Sequence, residues 1–465
     1  MSAKVPSTPA HPGFALVVGT TSLAFVVVQL DVTIVNVALP RIAQDLRASV
    51  AALQWIVDAY TLAFSACMLS AGTLGDRFGS RRGFVAGLVL FALASLGCGL
   101  ARGVDTLIAA RMLQGLGAAA MLPNSLALLN RAFADAPKRR AHAIGWWTAA
   151  GSISIAAGPV CGGLLLGIGD WRTIFLVNLP LCSLGVVLAL RLPPDAAQRT
   201  RKRIDGAGQI VATVALTALT ASVIELHAPG VPPALLGIGF AIALAGGAAF
   251  VAIERRVAAP MIPPELFRSR TFDAAIGFGM TVNFTYYGTV FVLTLYLQRA
   301  LGYAPLQAGL AFLPLTAGFF VSNVVSGRLT AVFGPRVPML VGTAIDAAGF
   351  MLLQRAGLDA AYADLWLPFL LIPAGMGLAV PAMTHAVLSG VEPRRAGTAS
   401  AVLNTARQAA GAMGVAVYGA LASGGATRIV QGMHAAALVS CGLLAAAFVL
   451  AWMVRTPREP ALAGA

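Results

Sequence analysis

Apolar runs long enough to cross a bilayer follow one another along this 465-residue chain, separated by short polar or basic stretches. A hydrocarbon core of about 30 Å takes roughly 20 apolar residues of helix. On that measure spans are predicted near 14–39, 53–74, 83–100, 107–129, 141–168, 171–192, 207–226, 234–253, 274–297, 305–329, 337–353, 365–388, 396–421 and 433–454. The longest polar linkers, Pro193 to Gly206 and Glu254 to Asp273, flank the seventh and eighth of these. The expected architecture is therefore all-α and polytopic. An N-terminal tail (1–13) leads into a first six-helix bundle (14–192). Linkers carrying two inserted helices (193–273, helices 207–226 and 234–253) join it to a second six-helix bundle (274–454) and a tail (455–465).

Composition agrees with a lipid-solvated chain: 58% of residues are hydrophobic, 11% are charged and mean hydropathy is +0.82, whereas about a quarter of a soluble domain is charged. In apolar stretches the 50 Gly and 26 Pro read as close helix contacts and bends rather than disorder. A formal charge of +14 would suit a nucleic-acid partner. Its placement says otherwise: roughly three times as many Lys and Arg lie in the tails and even-numbered loops as in the odd-numbered loops, the pattern of basic loops held in the cytoplasm. Both termini are expected there, in a bacterial inner membrane, with lipid as the surroundings and no nucleic-acid role. The stretch from Phe14 to Leu39 is too long for a cleaved signal and reads as a retained span. Cys67, Cys98, Cys161, Cys182 and Cys441 lie within spans without metal or redox spacing, and no metal site is expected.

The halves repeat. Gly72, Leu74, Phe78, Gly79 and Arg81 recur as Gly327, Leu329, Phe333, Gly334 and Arg336, at an offset of 255 residues. Arg139, Arg140 and Ala141 recur at the same offset as Arg394, Arg395 and Ala396. Two matches at one offset describe diverged copies in parallel orientation.

Chemistry concentrates in a few spans. The segment after span two, Gly72-Thr-Leu-Gly-Asp76-Arg77-Phe-Gly79-Ser-Arg81-Arg82, reads as a tight basic turn. Span four places Arg111, Gln114 and Gly115 on one helical face, and an arginine inside a span is costly enough to mark function. Span five holds Gly158-Pro159-Val-Cys-Gly162-Gly163, where the glycines permit close backbone contact and the proline bends the helix. Asp31 in span one, Asp58 in span two and Arg111 share one level of the bilayer, so one cluster is expected. Asp346 and Arg407 are near mid-membrane in the second half; they could pair, or Asp346 could serve as a cavity acid and Arg407 in function. Phosphate-binding loops and hydrolytic or metal-ligand constellations are absent, leaving ATP-driven transport and enzyme activity without machinery.

These motifs resemble the major facilitator superfamily and, within it, the fourteen-span drug:proton antiporters. The Gly72 to Arg82 pattern is similar to that family's signature loop, Arg111-x-x-Gln114-Gly115 to its second motif, Gly158 to Gly163 to its antiporter motif, and Leu30-Asp31 to Pro40 to the first-helix motif. Asp58 in Trp55-Ile-Val-Asp58-Ala-Tyr60 resembles a subset exporting lipophilic cations such as quaternary ammonium compounds, and Asn404-Thr-Ala-Arg407-Gln408 a run common in the family. The resemblance implies alternating access between two six-helix bundles, driven by the proton gradient without a cofactor, with small hydrophobic, often cationic drugs as substrates. It implies proton coupling at Asp31, Asp58 and Arg111, and gating by Gly72, Asp76, Arg77, Gly79, Arg81, Gly158, Pro159, Gly162 and Gly163. Asp58, Asp346, Tyr286 and Tyr287 are candidate substrate contacts, helix packing being the competing account of the tyrosines. Export of an endogenous metabolite or self-made antibiotic and import by symport are the alternatives. For partners the alternatives are periplasmic adaptor proteins or, without them, a monomer.

Overall fold

The computed structural model describes residues 13–193, 205–227, 230–257, 264–391 and 396–454. Most of both tails and of the first central linker, a short part of the second, and the repeated Arg394 and Arg395 lie outside the described residues. Within them the regular structure is helical throughout, as hydrocarbon demands of a backbone that must satisfy its own hydrogen bonds. The first half comprises α1 (Phe14–Asp45), α2 (Val50–Phe78), α3 (Ser80–Gly99), α4 (Val104–Ala132), α5 (Pro137–Ile168), α6 (Thr173–Leu176) and α7 (Asn178–Leu190). Next come α8 (Gly206–Ile224) and α9 (Pro233–Glu254). The second half comprises α10 (Arg270–Leu295), α11 (Pro305–Ala311), α12 (Leu313–Phe333), α13 (Arg336–Leu353), α14 (Tyr362–Ser389), α15 (Ala396–Leu421) and α16 (Ala426–Met453).

Twelve segments among the described residues are long and apolar enough to cross a membrane, with α6–α7 and α11–α12 each counted as one. A thirteenth is α5, bent by 46° between Ile155 and Ala157. Pro159 explains the bend, because its ring cannot accept the carbonyl four residues back, at Ile155. Fourteen spans were expected; the remaining helix is α15, whose Asn404, Arg407 and Gln408 lower its hydropathy although it is 26 residues long and packed against α2 and α10.

Polar caps start several helices: the Ser49 hydroxyl accepts from the Ala52 amide at 3.1 Å, Ser269 from Phe272 at 3.3 Å and the Asp205 carboxylate from Gly208 at 2.9 Å. The turn expected from Gly72 begins only at Gly79. Gly72 to Phe78 are the last turns of α2, since an apolar run ends with the bilayer but a helix need not. Gly79 (φ 100°) and Gly334 (φ 74°) both adopt the left-handed region that a side chain disfavours, at the repeat offset of 255 residues.

α1 packs on α5, α3 and α2 on α4, and α7 on α3; in the second half α10 packs on α15 and α16, and α14 on α12 and α13. α8 and α9 pair with each other, α8 resting on both α2 and α15 while the most apolar stretch of α9 buries no residue. We call the end where α1 begins the near end and the other the far end. The halves meet toward the far end. Gln54 Nε2 of α2 donates to the Val415 and Ala416 carbonyls of α15 at 3.1 and 2.6 Å, and Gln298 Nε2 donates to the Val37 carbonyl of α1 at 2.9 Å. On the opposite seam, the α5 glycine motif lets α11 approach closely: a Cβ on Gly163 would lie 2.9 Å from the Leu306 Cα.

Candidate functional site

The first half buries a knot of polar side chains from α1, α3, α4 and α7. Asp31 is fully buried and Arg111 is 1% exposed. Their side chains form an ion pair between Asp31 Oδ2 and the Arg111 guanidinium. Asp31 Oδ1 accepts from Gln114 Nε2 at 3.1 Å and Asn178 Nδ2 at 2.9 Å. Arg111 donates through Nε to the Ile56 carbonyl at 3.0 Å and through a terminal nitrogen to Gln114 Oε1 at 2.8 Å. Gln114 also donates to Ser95 at 2.7 Å. The Arg111 guanidinium lies 4.3 Å from the Tyr60 ring centre and 5.9 Å from that of Phe175. The physical logic is plain. A buried ionised pair is tolerable only when its remaining donors and lone pairs are also used, and α4 supplies the second residue of the knot because Arg111 and Gln114 are three apart on one face.

Asp58 does not join this cluster, correcting the expectation from depth. It is fully buried, and neither carboxylate oxygen has a hydrogen-bond partner. Level along the bilayer says nothing of rotation about the helix axis: Asp58 falls one turn beyond Gln54, on the face by which α2 reaches α15. Ser95, Asn178 and Tyr60 belong to the knot and were missed in the sequence. Asn178 alone carried a signal, as a lone amide inside an apolar span.

Between the halves is a small cavity of about 20 Å³ lined by Thr33, Asn36 and Val37 of α1, Ile155 and Pro159 of α5, and Tyr286, Tyr287, Val290 and Thr294 of α10, with Phe312 and Leu315 closing it. Tyr286 and Tyr287 stand edge to face, ring centres 5.4 Å apart. A Cβ on Gly162 would lie 3.1 Å from the Ile34 carbonyl, and Gly158 faces Thr33 more closely still, so the glycines of α5 bring α1 to this wall. A wider apolar groove of about 800 Å³, lined by Tyr303, Leu310, Pro314 and Tyr362, opens at the far end away from these charges.

Asp346 and Arg407 make no ion pair with each other, which removes the pairing alternative. Asp346 is 2% exposed with one oxygen unpartnered, its α13 backbone pressed against Gly375 of α14. Arg407 is half-buried on α15 and its Nε donates to Asn283 Oδ1 of α10 at 3.3 Å. Asn404 donates to the Ser400 carbonyl of its own helix at 3.0 Å. In the former loop segment, Arg77 is exposed beside Phe78 and Arg81 donates to the Leu190 carbonyl at 2.8 Å; the Asp76 side chain lies outside the described residues.

Two packed helical halves with membrane-length segments, a buried ion pair and a cavity at their seam define a multi-pass membrane protein. A family model for the Major Facilitator Superfamily matches residues 21–415, and the chain belongs to that family. It is a transporter rather than an enzyme. Multidrug resistance protein Stp of Mycobacterium tuberculosis (strain CDC 1551 / Oshkosh) is 37% identical over 401 residues, 86% of this chain and 74% of that protein. Cephamycin export protein CmcT of Amycolatopsis lactamdurans is 38% identical over 462 residues, 97% of this chain and 93% of that one. Among solved structures, a point mutant of the nucleoside transporter NupG is similar with a TM-score of 0.67 at 12% identity, over 95% of this chain and 100% of that one, a likeness of fold alone.

Proposed function

We propose that this chain exports small hydrophobic compounds in exchange for protons, by alternating access of the two halves around their seam. In this reading it crosses a bacterial inner membrane fourteen times, α15 being the polar span, with both termini in the cytoplasm. The proton gradient drives it and no cofactor takes part. The observation that carries the proposal is the Asp31 knot. One carboxylate on α1 is held by donors from α4 and α7, so any shift of α1 against those helices changes how many donors it keeps and hence its affinity for a proton. Linkage then requires that substrate and proton oppose each other. Cationic compounds belong to the proposed range, reaching Asp58 or Asp346 only in a conformation that uncovers them, because both are buried here. The relatives named for multidrug resistance and for export support the direction of transport.

The test uses everted vesicles carrying a respiration-driven proton gradient, to which candidate substrates are added. Wild-type vesicles should lose part of the gradient on addition of a substrate, and Asp31→Asn vesicles should not. Full proton-linked efflux in Asp31→Asn would remove this carboxylate from the mechanism. A second reading, export of a self-made antibiotic, is favoured by the cephamycin export protein, to which almost the whole chain is similar; producing-strain gene disruption followed by extracellular product measurement separates it from general drug efflux.

A further inference from the structure

Arg407 lies near the middle of α15, and no described acid neutralises it. Its one hydrogen bond to a described residue is the 3.3 Å contact from Nε to the neutral Asn283. Of the five N–H donors of a guanidinium, four on the two terminal nitrogens are left without a described acceptor. A charged arginine unpaired at this depth is costly in lipid and persists where it faces a partner or a cavity. Arg407 is half-buried, in contrast to Arg111, which is sealed.

Its neighbours say which way it faces. Asn283 and Tyr287 are one turn apart on α10, and Arg407 and Gly411 one turn apart on α15. A Cβ on Gly411 would lie 3.0 Å from the Tyr287 ring, so the two helices hold Arg407, Asn283 and Tyr287 in one patch. Tyr287 in turn lines the cavity between the halves with Tyr286, Ile155, Pro159 and Val290. Val415 and Ala416, where Gln54 closes the seam, are eight and nine residues further along α15, so the guanidinium level is about 12 Å to the near side of that closure.

We infer that Arg407 binds the carboxylate of an exported amphiphile. The free fork of the guanidinium matches a carboxylate in two parallel hydrogen bonds, and Tyr286, Tyr287, Ile155 and Val290 form the wall that receives the apolar body once the seam opens, the cavity of about 20 Å³ in this conformation having room for little more than a water. This assigns an anionic subset of substrates to a residue of the second half, and it rests on the export reading above. A purely structural arginine would serve only the bond to Asn283, which glutamine or lysine can also make.

The experiment measures accumulation by mass spectrometry in everted vesicles, using fusidate, benzylpenicillin and cefoxitin as carboxylates, chloramphenicol as a neutral compound, and ethidium and tetraphenylphosphonium as cations. Wild type should accumulate at least one carboxylate. Arg407→Gln should lower its initial rate about tenfold, mainly by raising KM, with partial recovery in Arg407→Lys, while neutral and cationic rates change less than about twofold. Asn283→Asp, which places an acid against the retained arginine, should reproduce the selective loss, and Asn283→Ala should not. Should Arg407→Gln fail to reach the membrane, Asn283→Asp decides. An equal loss across all three classes, a wild type that moves neutral or cationic compounds but no carboxylate, or unchanged carboxylate rates in Asn283→Asp would each overturn the assignment. An uncoupler separates the two proposals: carboxylate export that survives collapse of the proton gradient, yet is lost selectively in Arg407→Gln, sinks proton coupling and leaves the Arg407 site standing.

Discussion

The two arginines embedded in the membrane differ in almost every respect. Arg111, in the first half, is sealed and spends its donors on Asp31, Gln114 and the Ile56 carbonyl, beneath the Tyr60 ring. Arg407, in the second half, is half-open, meets one neutral amide and has no described counter-ion. The repeat offset sharpens the contrast. At 255 residues on, Asp31, Ser95, Gln114 and Asn178 correspond to Tyr286, Phe350, Phe369 and Met433, all of them buried. Diverged copies of one bundle have thus specialised: the first keeps a charge network in its interior, and the second fills the same positions with aromatic and apolar side chains and carries its own charges elsewhere. Under the proposed exchange such division is useful, because a charge network fixed by specific hydrogen bonds and a wall that accepts varied apolar shapes place incompatible demands on one set of side chains.

The contrast breaks most visibly under removal of each cation. Arg111→Met leaves Asp31 buried without its counter-ion and should cost about 3–5 kcal/mol. Arg407→Met abandons no acid and should cost less than about 1 kcal/mol, within the range of a single neutral hydrogen bond. Denaturant titration of the purified proteins, followed by tryptophan fluorescence, reads both. Equal losses would mean that Arg407 is as structural as Arg111, and the difference between the halves would vanish. Next in size is Asn178→Ala, which removes one donor from the same carboxylate and should cost about 1.5–3 kcal/mol, the value for a hydrogen bond to a charged group. In an Asp31→Asn background the same substitution should cost clearly less, since the charge it served is gone; an unchanged cost in the cycle would show that Asn178 merely packs.

How far these features could be read from the chain depends on which coordinate they need. Hydropathy fixes depth, and depth alone brought Asp31 and Arg111 to one level, where the structure joins them. Rotation about the helix axis is not written in hydropathy when a span is apolar all round. Asp58 was accordingly grouped with the wrong face, and depth could not decide whether Asp346 and Arg407 pair, although they have different neighbours. Ser95 is too small and too common in membrane helices to stand out, yet it takes the Gln114 donor. The end of α2 was misplaced for a different reason: Gly72 and Gly75 look like turn residues, but Gly75 packs against the Asn124 side chain inside a continuous helix, and only Gly79 takes the backbone angle that a turn requires. The repeat was the most transferable signal, since Gly334 makes the matching turn in the other half.

The smallest expected effect concerns Gln54, which belongs to the first half but spends its hydrogen bonds in the second. Its amide reaches two consecutive carbonyls near the far end of α15, and a Cβ on Gly419 would collide with it, so the side chain fills the seam between the halves. Those carbonyls are already bonded within their own helix, and Gln54 uses only their second lone pairs. Replacing it by alanine therefore leaves no buried carbonyl orphaned, and the cost should stay near 0.5–1.5 kcal/mol. That cost falls on the closed far end alone, because separated halves cannot make these bonds. Gln54→Ala should then lower the ratio of closed to open far ends by a factor of about two to ten while leaving unfolding of either half unchanged. Spin labels on Ala51→Cys and Ser423→Cys, in a protein lacking its native cysteines, would report this as a larger long-distance population. If the distance distribution stays the same and the denaturation midpoint falls instead, Gln54 is part of the first half's own core, and the division between a sealed half and an open one would extend to the seam itself.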